Sequence, residues 1–151
     1  MKKPIATLCA LLMLSLPAFA SSDDIVRVRA AGDVTTTMDK LEAAVTKAGA
    51  TVFARVDHAA GAAGVDMKLD DEQLLIFGNP LIGTQAMQDD PLAGLFLPMR
   101  VLVYTDGAGQ VWLAYQDPKD MFDDLAISED AGYVKKMAGA LGKLTSMAAG
   151  Q

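Results

Sequence analysis

Asp57-His58 is the first pair in this chain able to move a proton. His58 is the only histidine, so it is the one side chain whose ordinary pKa puts a charge change near neutral pH. Asp57 beside it in sequence is a ready orienter. Neighbours on a strand point to opposite faces, however, and a histidine at a strand end serves equally to cap a helix or meet a backbone carbonyl. Gly78-Asn79-Pro80 with Gly83-Thr84 puts a glycine turn at a helix start, where free amides and the helix dipole can hold a carboxylate, sulfate or phosphate. It lacks the lysine and spacing of a Walker loop. The same residues also suit a plain strand-to-helix turn, with Asn79 as N-cap and Gly83 allowing close packing. Arg100 interrupts an apolar strand, where it can meet an anionic ligand, an acid of a partner subunit or a cross-strand acid. Asn79, Gly83, Thr84 and Arg100 are therefore the candidates for holding a small anionic ligand. His58 and Asp57 are the candidates for acid–base catalysis, and His58 with nearby carboxylates for a metal.

Other chemistries are poorly served. Met38, Met67, Met87, Met99, Met121, Met137 and Met147 raise copper(I), but they are scattered without close clusters and mostly fall on apolar stripes, where methionine fills cores. No paired-histidine spacing suits zinc. The serines stand in no nucleophile elbow. Cys9, the only cysteine, lies in the first twenty residues, so thiol chemistry and disulfides are not expected in the remainder. No cofactor is expected.

The elements that must position these residues follow from periodicity. Ile25 to Arg29 alternates apolar with charged residues, as a half-buried strand does. Asp33 to Thr36 opens a helix to about Ala48, with Met38, Leu41, Ala44, Val45 and Ala48 as its stripe, and Gly49 ends it. Thr51 to Val56 and Gln73 to Phe77 read as strands, with a short helix or loop over His58 to Val65 between them. A helix is predicted over Pro80 to Gln88. Met99 to Tyr104 and Val111 to Tyr115 make a hairpin around Asp106-Gly107-Ala108-Gly109. Pro118 to Leu125 reads as a helical turn. A last helix from about Asp130 to Ala148 carries Tyr133, Met137, Ala140, Leu141, Leu144 and Met147 on its apolar stripe. The expected fold class is α+β: two layers, with a mostly antiparallel sheet of about five strands and helices packed on one face.

Met1-Lys2-Lys3, the apolar run Ile5 to Leu16 and Ala18-Phe19-Ala20 together form a cleavable export leader. The apolar run falls short of the roughly 20 residues that span a bilayer. Residues 1–20 are then leader and 21–151 a single domain, with the periplasm as the expected location and secretion as the alternative. Without Lys2 and Lys3, 11 basic residues face 19 acidic ones, a net charge of −8. Such a surface repels phosphate backbones and anionic headgroups, which argues against nucleic acid, and against membrane once the leader is cut.

Five separate segments carry a resemblance. They are Phe53-Ala54-Arg55-Val56-Asp57-His58-Ala59-Ala60-Gly61-Ala62; Leu74 to Pro80 with Gly83-Thr84 and Met87; Leu97-Pro98-Met99-Arg100 to Tyr104; Val111 to Tyr115; and Asp117-Pro118. In this order and spacing they resemble the family catalogued as domain of unknown function 302, over about residues 48–125. The resemblance implies a small two-layer α+β domain able to pair into dimers, and brings no established activity. The favoured expectation is an exported, non-catalytic homodimer that binds a small ligand or a periplasmic protein. The alternatives are a small enzyme using His58 and Asp57 with an anion site at Asn79, and a metal-handling protein.

Overall fold

The computed structural model describes residues 24–151; the expected leader lies outside them. Five strands, β1 (Ile25–Arg29), β2 (Thr51–Asp57), β3 (Glu72–Gly78), β4 (Met99–Thr105) and β5 (Val111–Gln116), form one sheet in the order β1-β5-β4-β3-β2. Every pairing is antiparallel. The domain is α+β, as its alternation of hairpin and crossover segments implies.

Side-chain alternation divides the sheet into two unlike faces. Leu75, Phe77, Val101, Val103, Leu113 and Tyr115 point one way and are buried, together with Met38, Leu41 and Val45 of α1 (Val34–Lys47) and Val134, Met137 and Leu141 of α5 (Gly132–Ala149). That is the core. α1 lies over β2, β3 and β4, and α5 over β5 and β1. Asp33 caps α1 by accepting from the Thr36 amide at 2.8 Å, and Gly49, with φ of +77°, ends it in the left-handed region that favours glycine. The stripe expected for α5 is rotated at its end. Met147 is exposed and Ala148 buried, because only small side chains fit where α5 closes against the end of β1; Ala149 accepts from the Ala31 amide there.

Between β2 and β3 runs the short helix α2 (His58–Ala63), and α3 (Pro80–Asp89) follows β3. A 3-10 turn, Pro91–Leu95, leads into β4; the periodicity did not separate it, since one turn of Pro-Leu-Ala-Gly-Leu has no repeat to read. The hairpin β4–β5 turns on Asp106, whose carboxylate accepts from the Ala108 and Gln110 amides and from the Trp112 indole N–H at 2.8 Å. The indole bond first, then the amides, hold this carboxyl below its ordinary range. α4 (Pro118–Met121) completes the order.

One part-buried polar tie joins α3 to α5. Tyr133, 7 % exposed, donates to Asp89 Oδ2 at 2.7 Å. Burial, and then the bond to and charge of Asp89, push the phenol from 10.0 up to about 12. Because the folded value lies above the unfolded one, this stabilisation is complete below pH 10 and is lost as pH rises through 12. Tyr133→Phe is expected to cost about 1–3 kcal/mol at pH 8 and to flatten the alkaline fall in stability. Urea midpoints across that range check it, and an unchanged alkaline slope would refute it.

Candidate functional site

The end of β3 and the start of β4 bound a cavity of about 310 Å³, within the range of small-molecule sites. Its floor is Gly78 and Met99 from the strands and Met137 from α5; Asn79, Pro80, Ile82, Gly83, Thr84 and Met87 line it from α3 and its cap, and Leu97 and Pro98 from the segment entering β4. Phe53 closes the rim. β2 shifts register between Val52 and Ala54, and the resulting bulge re-aims Phe53, which stays 57 % exposed. A Cβ at Gly78 would lie 3.5 Å from the Phe53 ring and 3.6 Å from Pro98 Cβ. Along α3, positions 80, 83, 84 and 87 share one face by helical spacing, which is why all four reach one space.

Asn79, Gly83 and Thr84 thus come together as the sequence suggests, but the anion chemistry expected of them does not survive. The Leu81 amide is taken by Asn79 Oδ1 at 3.0 Å, the Ile82 and Gly83 amides by the Asn79 carbonyl at 3.0 and 2.9 Å, and Pro80 has no N–H. No amide of the first turn is left for an anion. Arg100 is also elsewhere: it pairs with Ile76 on the face of the sheet away from the helices, as the alternation with buried Val101 and Val103 requires.

Asp57 and His58 lie at the far end of the same strands. Asp57 pairs with Gln73 and Thr51 with Gly78, so roughly 17 Å of strand separates Asp57 from Gly78, and His58 and Asn79 lie beyond its two ends. Asp57 is occupied as the cap of α2: Oδ1 accepts from the Ala60 amide at 2.8 Å and Oδ2 from the Gln73 amide group at 3.2 Å. His58 is half-buried and makes no hydrogen bond to Asp57. An enzyme combining this pair with an anion hole at Asn79 is therefore not assembled by this fold. Among the described residues, no three His, Cys, Asp or Glu side chains gather where a metal ion could bridge them. The structure does bring together three of the scattered methionines, Met87, Met99 and Met137. No spacing rule finds them, because they come from α3, β4 and α5.

The other face of the sheet packs against neither α1 nor α5. The register lines up Val56, Leu74, Leu102, Ala114 and Arg27 in one row across all five strands, with Tyr104, Trp112 and Arg29 in the next and Ile76 beside Arg100. Leu74, Ile76, Leu102, Tyr104 and Trp112 are half-buried, while Arg27, Arg29 and Arg100 are exposed. Three of the chain's four arginines stand on this face; Arg55 instead joins β2 to Asp39 and Glu42 of α1 at 2.6 and 3.3 Å.

The fold is that of an uncharacterized conserved DUF302 protein of Bacillus stearothermophilus, whose crystal structure superposes with a TM-score of 0.66 at 16 % identity, over 83 % of this chain and 95 % of the other. Proteins named fluoride-specific ion channel FluC 1, from Brucella suis and Brucella abortus, are 40 % identical over 138 residues, 89 % of this chain. The match covers 54 % and 51 % of their lengths, so the chain spans about half of the curated relatives it matches. No helix among the described residues is long and apolar enough to cross a membrane. The domain of unknown function DUF302 matches residues 26–146, nearly the whole described chain, and the protein belongs to that family.

Proposed function

We propose that this protein is an exported, non-catalytic binding module, paired through its open sheet face, that holds a small and mainly apolar molecule in the cavity between α3, α5 and the β3–β4 strand ends. The observation that carries this reading is the lining itself: no side chain there can act as acid, base or nucleophile at neutral pH, while aliphatic, thioether and aromatic groups surround a space of ligand size. An uncharged fluorescent probe, N-phenyl-1-naphthylamine, is expected to bind the mature protein with enhanced emission. No saturable binding would overturn the reading.

Pairing is supported by the half-buried row across the sheet, an apolar strip that water otherwise covers. Export is supported by the basic start, the apolar run and Ala18-Phe19-Ala20 of the first twenty residues. Protein recovered from the export compartment is expected to begin at Ser21 and to scatter light at twice the mass of its chain, and Leu102→Asp, at the centre of the row, is expected to give a folded monomer. An intact Met1, or a monomeric wild type, would reject the corresponding half.

The curated relatives favour a second reading. An ion channel must cross the bilayer with helices or a closed barrel, and the half matched here supplies no spanning helix among its described residues. In this reading the pore occupies the unmatched half, and the present domain works beside such a channel as a separate chain. Fluoride flux through a Brucella relative stripped of the matched half is expected to change when this protein is added to the vesicles; unchanged flux rejects it.

A further inference from the structure

We propose that the cavity selects uncharged molecules consisting of an apolar body and one hydrogen-bond acceptor, such as a ketone, ester, lactone or amide carbonyl, seated between Asn79 and Thr84. This rests on reading the cavity as the ligand site, and it names the ligand's chemistry.

Charge is excluded first. None of the residues lining the space, from Phe53 to Met137, is ionisable. A carboxylate or ammonium entering it would give up its water with no opposite charge to replace it, whereas a neutral carbonyl needs only one or two donors.

The donors are set by how α3 begins. Asn79 Oδ1 is held by the Leu81 amide at 3.0 Å, which fixes the side-chain amide in one orientation and leaves its NH2 as a donor. Turning the side-chain amide over would break the cap. Thr84 adds a hydroxyl with no partner among the described residues. The neighbouring Ile82 and Gly83 amides are both bound to the Asn79 carbonyl. The polar part of the wall therefore offers the fixed Asn79 NH2 as a donor and the Thr84 hydroxyl as a donor or acceptor, and an acceptor on the ligand can meet both.

Shape is read loosely by comparison. Met87, Met99 and Met137 are unbranched, polarizable side chains that adjust to the body they contact. Discrimination should fall on the head of the ligand more than on its tail.

The test displaces N-phenyl-1-naphthylamine from the mature protein with four compounds of one chain length: 2-heptanone, 2-heptanol, heptanoate and heptylammonium. The ketone is expected to displace the probe at concentrations at least about tenfold below either ion, with the alcohol between. Thr84→Val is expected to weaken the ketone about threefold or more relative to the probe, both measured on the same variant. Equal potency of ketone and heptanoate, or an unchanged ketone-to-probe affinity ratio in Thr84→Val, overturns this inference while the cavity remains a site. Failure of the probe to bind at all overturns both.

Discussion

Leucine at position 83 is expected to abolish probe binding while leaving the protein as stable as the wild type, or more so. Gly83 sits within α3 with an ordinary helical backbone, and a Cβ there would meet only Leu97 Cδ1, at the ordinary contact distance of 3.6 Å. The remaining carbons of a leucine then enter the cavity that Gly83 and Leu97 both line. The volume they occupy is no longer open to a ligand, and affinity should fall by about twentyfold or more, worth about 1.8 kcal/mol. Replacing a helix-interior glycine meanwhile stabilises α3 by up to about 1 kcal/mol. Binding and melting temperature are thus expected to move in opposite directions. A general packing defect would lower both. Probe titration and thermal unfolding on one sample separate the outcomes, and retained affinity in Gly83→Leu would place the ligand elsewhere.

Phe77→Ala is expected to have the largest effect on stability. Phe77 is fully buried on β3, between Val52 of β2 and Met99 of β4, on the face covered by α1. Truncating a buried phenylalanine costs about 3–5 kcal/mol through lost transfer energy and the cavity left behind. In a domain of this size that lowers the melting temperature by roughly 10–20 °C. Nothing covalent offsets it, because the only cysteine is Cys9. Leu81→Ala is the matched control. Leu81 is equally apolar but 80 % exposed, and its truncation should stay within about 0.5 kcal/mol. Comparable losses in the two variants would contradict the assignment of the core.

The strands and helices were legible because each announces its period or its stop. Ile25 to Arg29 alternates, and it pairs as an edge strand with β5. Asn79-Pro80 reads as a helix start, and Asn79 does cap Leu81. Asp106 to Gly109 reads as a turn, and Gly109 takes φ of +80° there. Arg100 could be assigned to the face away from the core from its place between Met99 and Val101 alone. Asn79, Gly83 and Thr84 line one cavity, but the sequence does not reveal that the amides of their first turn are already bonded.

The sequence by itself determined the period of every main element, the caps that begin and end them, and a family whose members share this two-layer sheet. These depend on residues a few positions apart, whose interactions are local. Only the tertiary structure decided that His58 and Asn79 stand at opposite ends of β3. It likewise decided that Met87, Met99 and Met137 share one cavity, and that the arginines of an acidic protein gather on the sheet face away from α1 and α5. Those juxtapositions depend on strand order and register, which join residues far apart in the chain and leave no periodic trace in it.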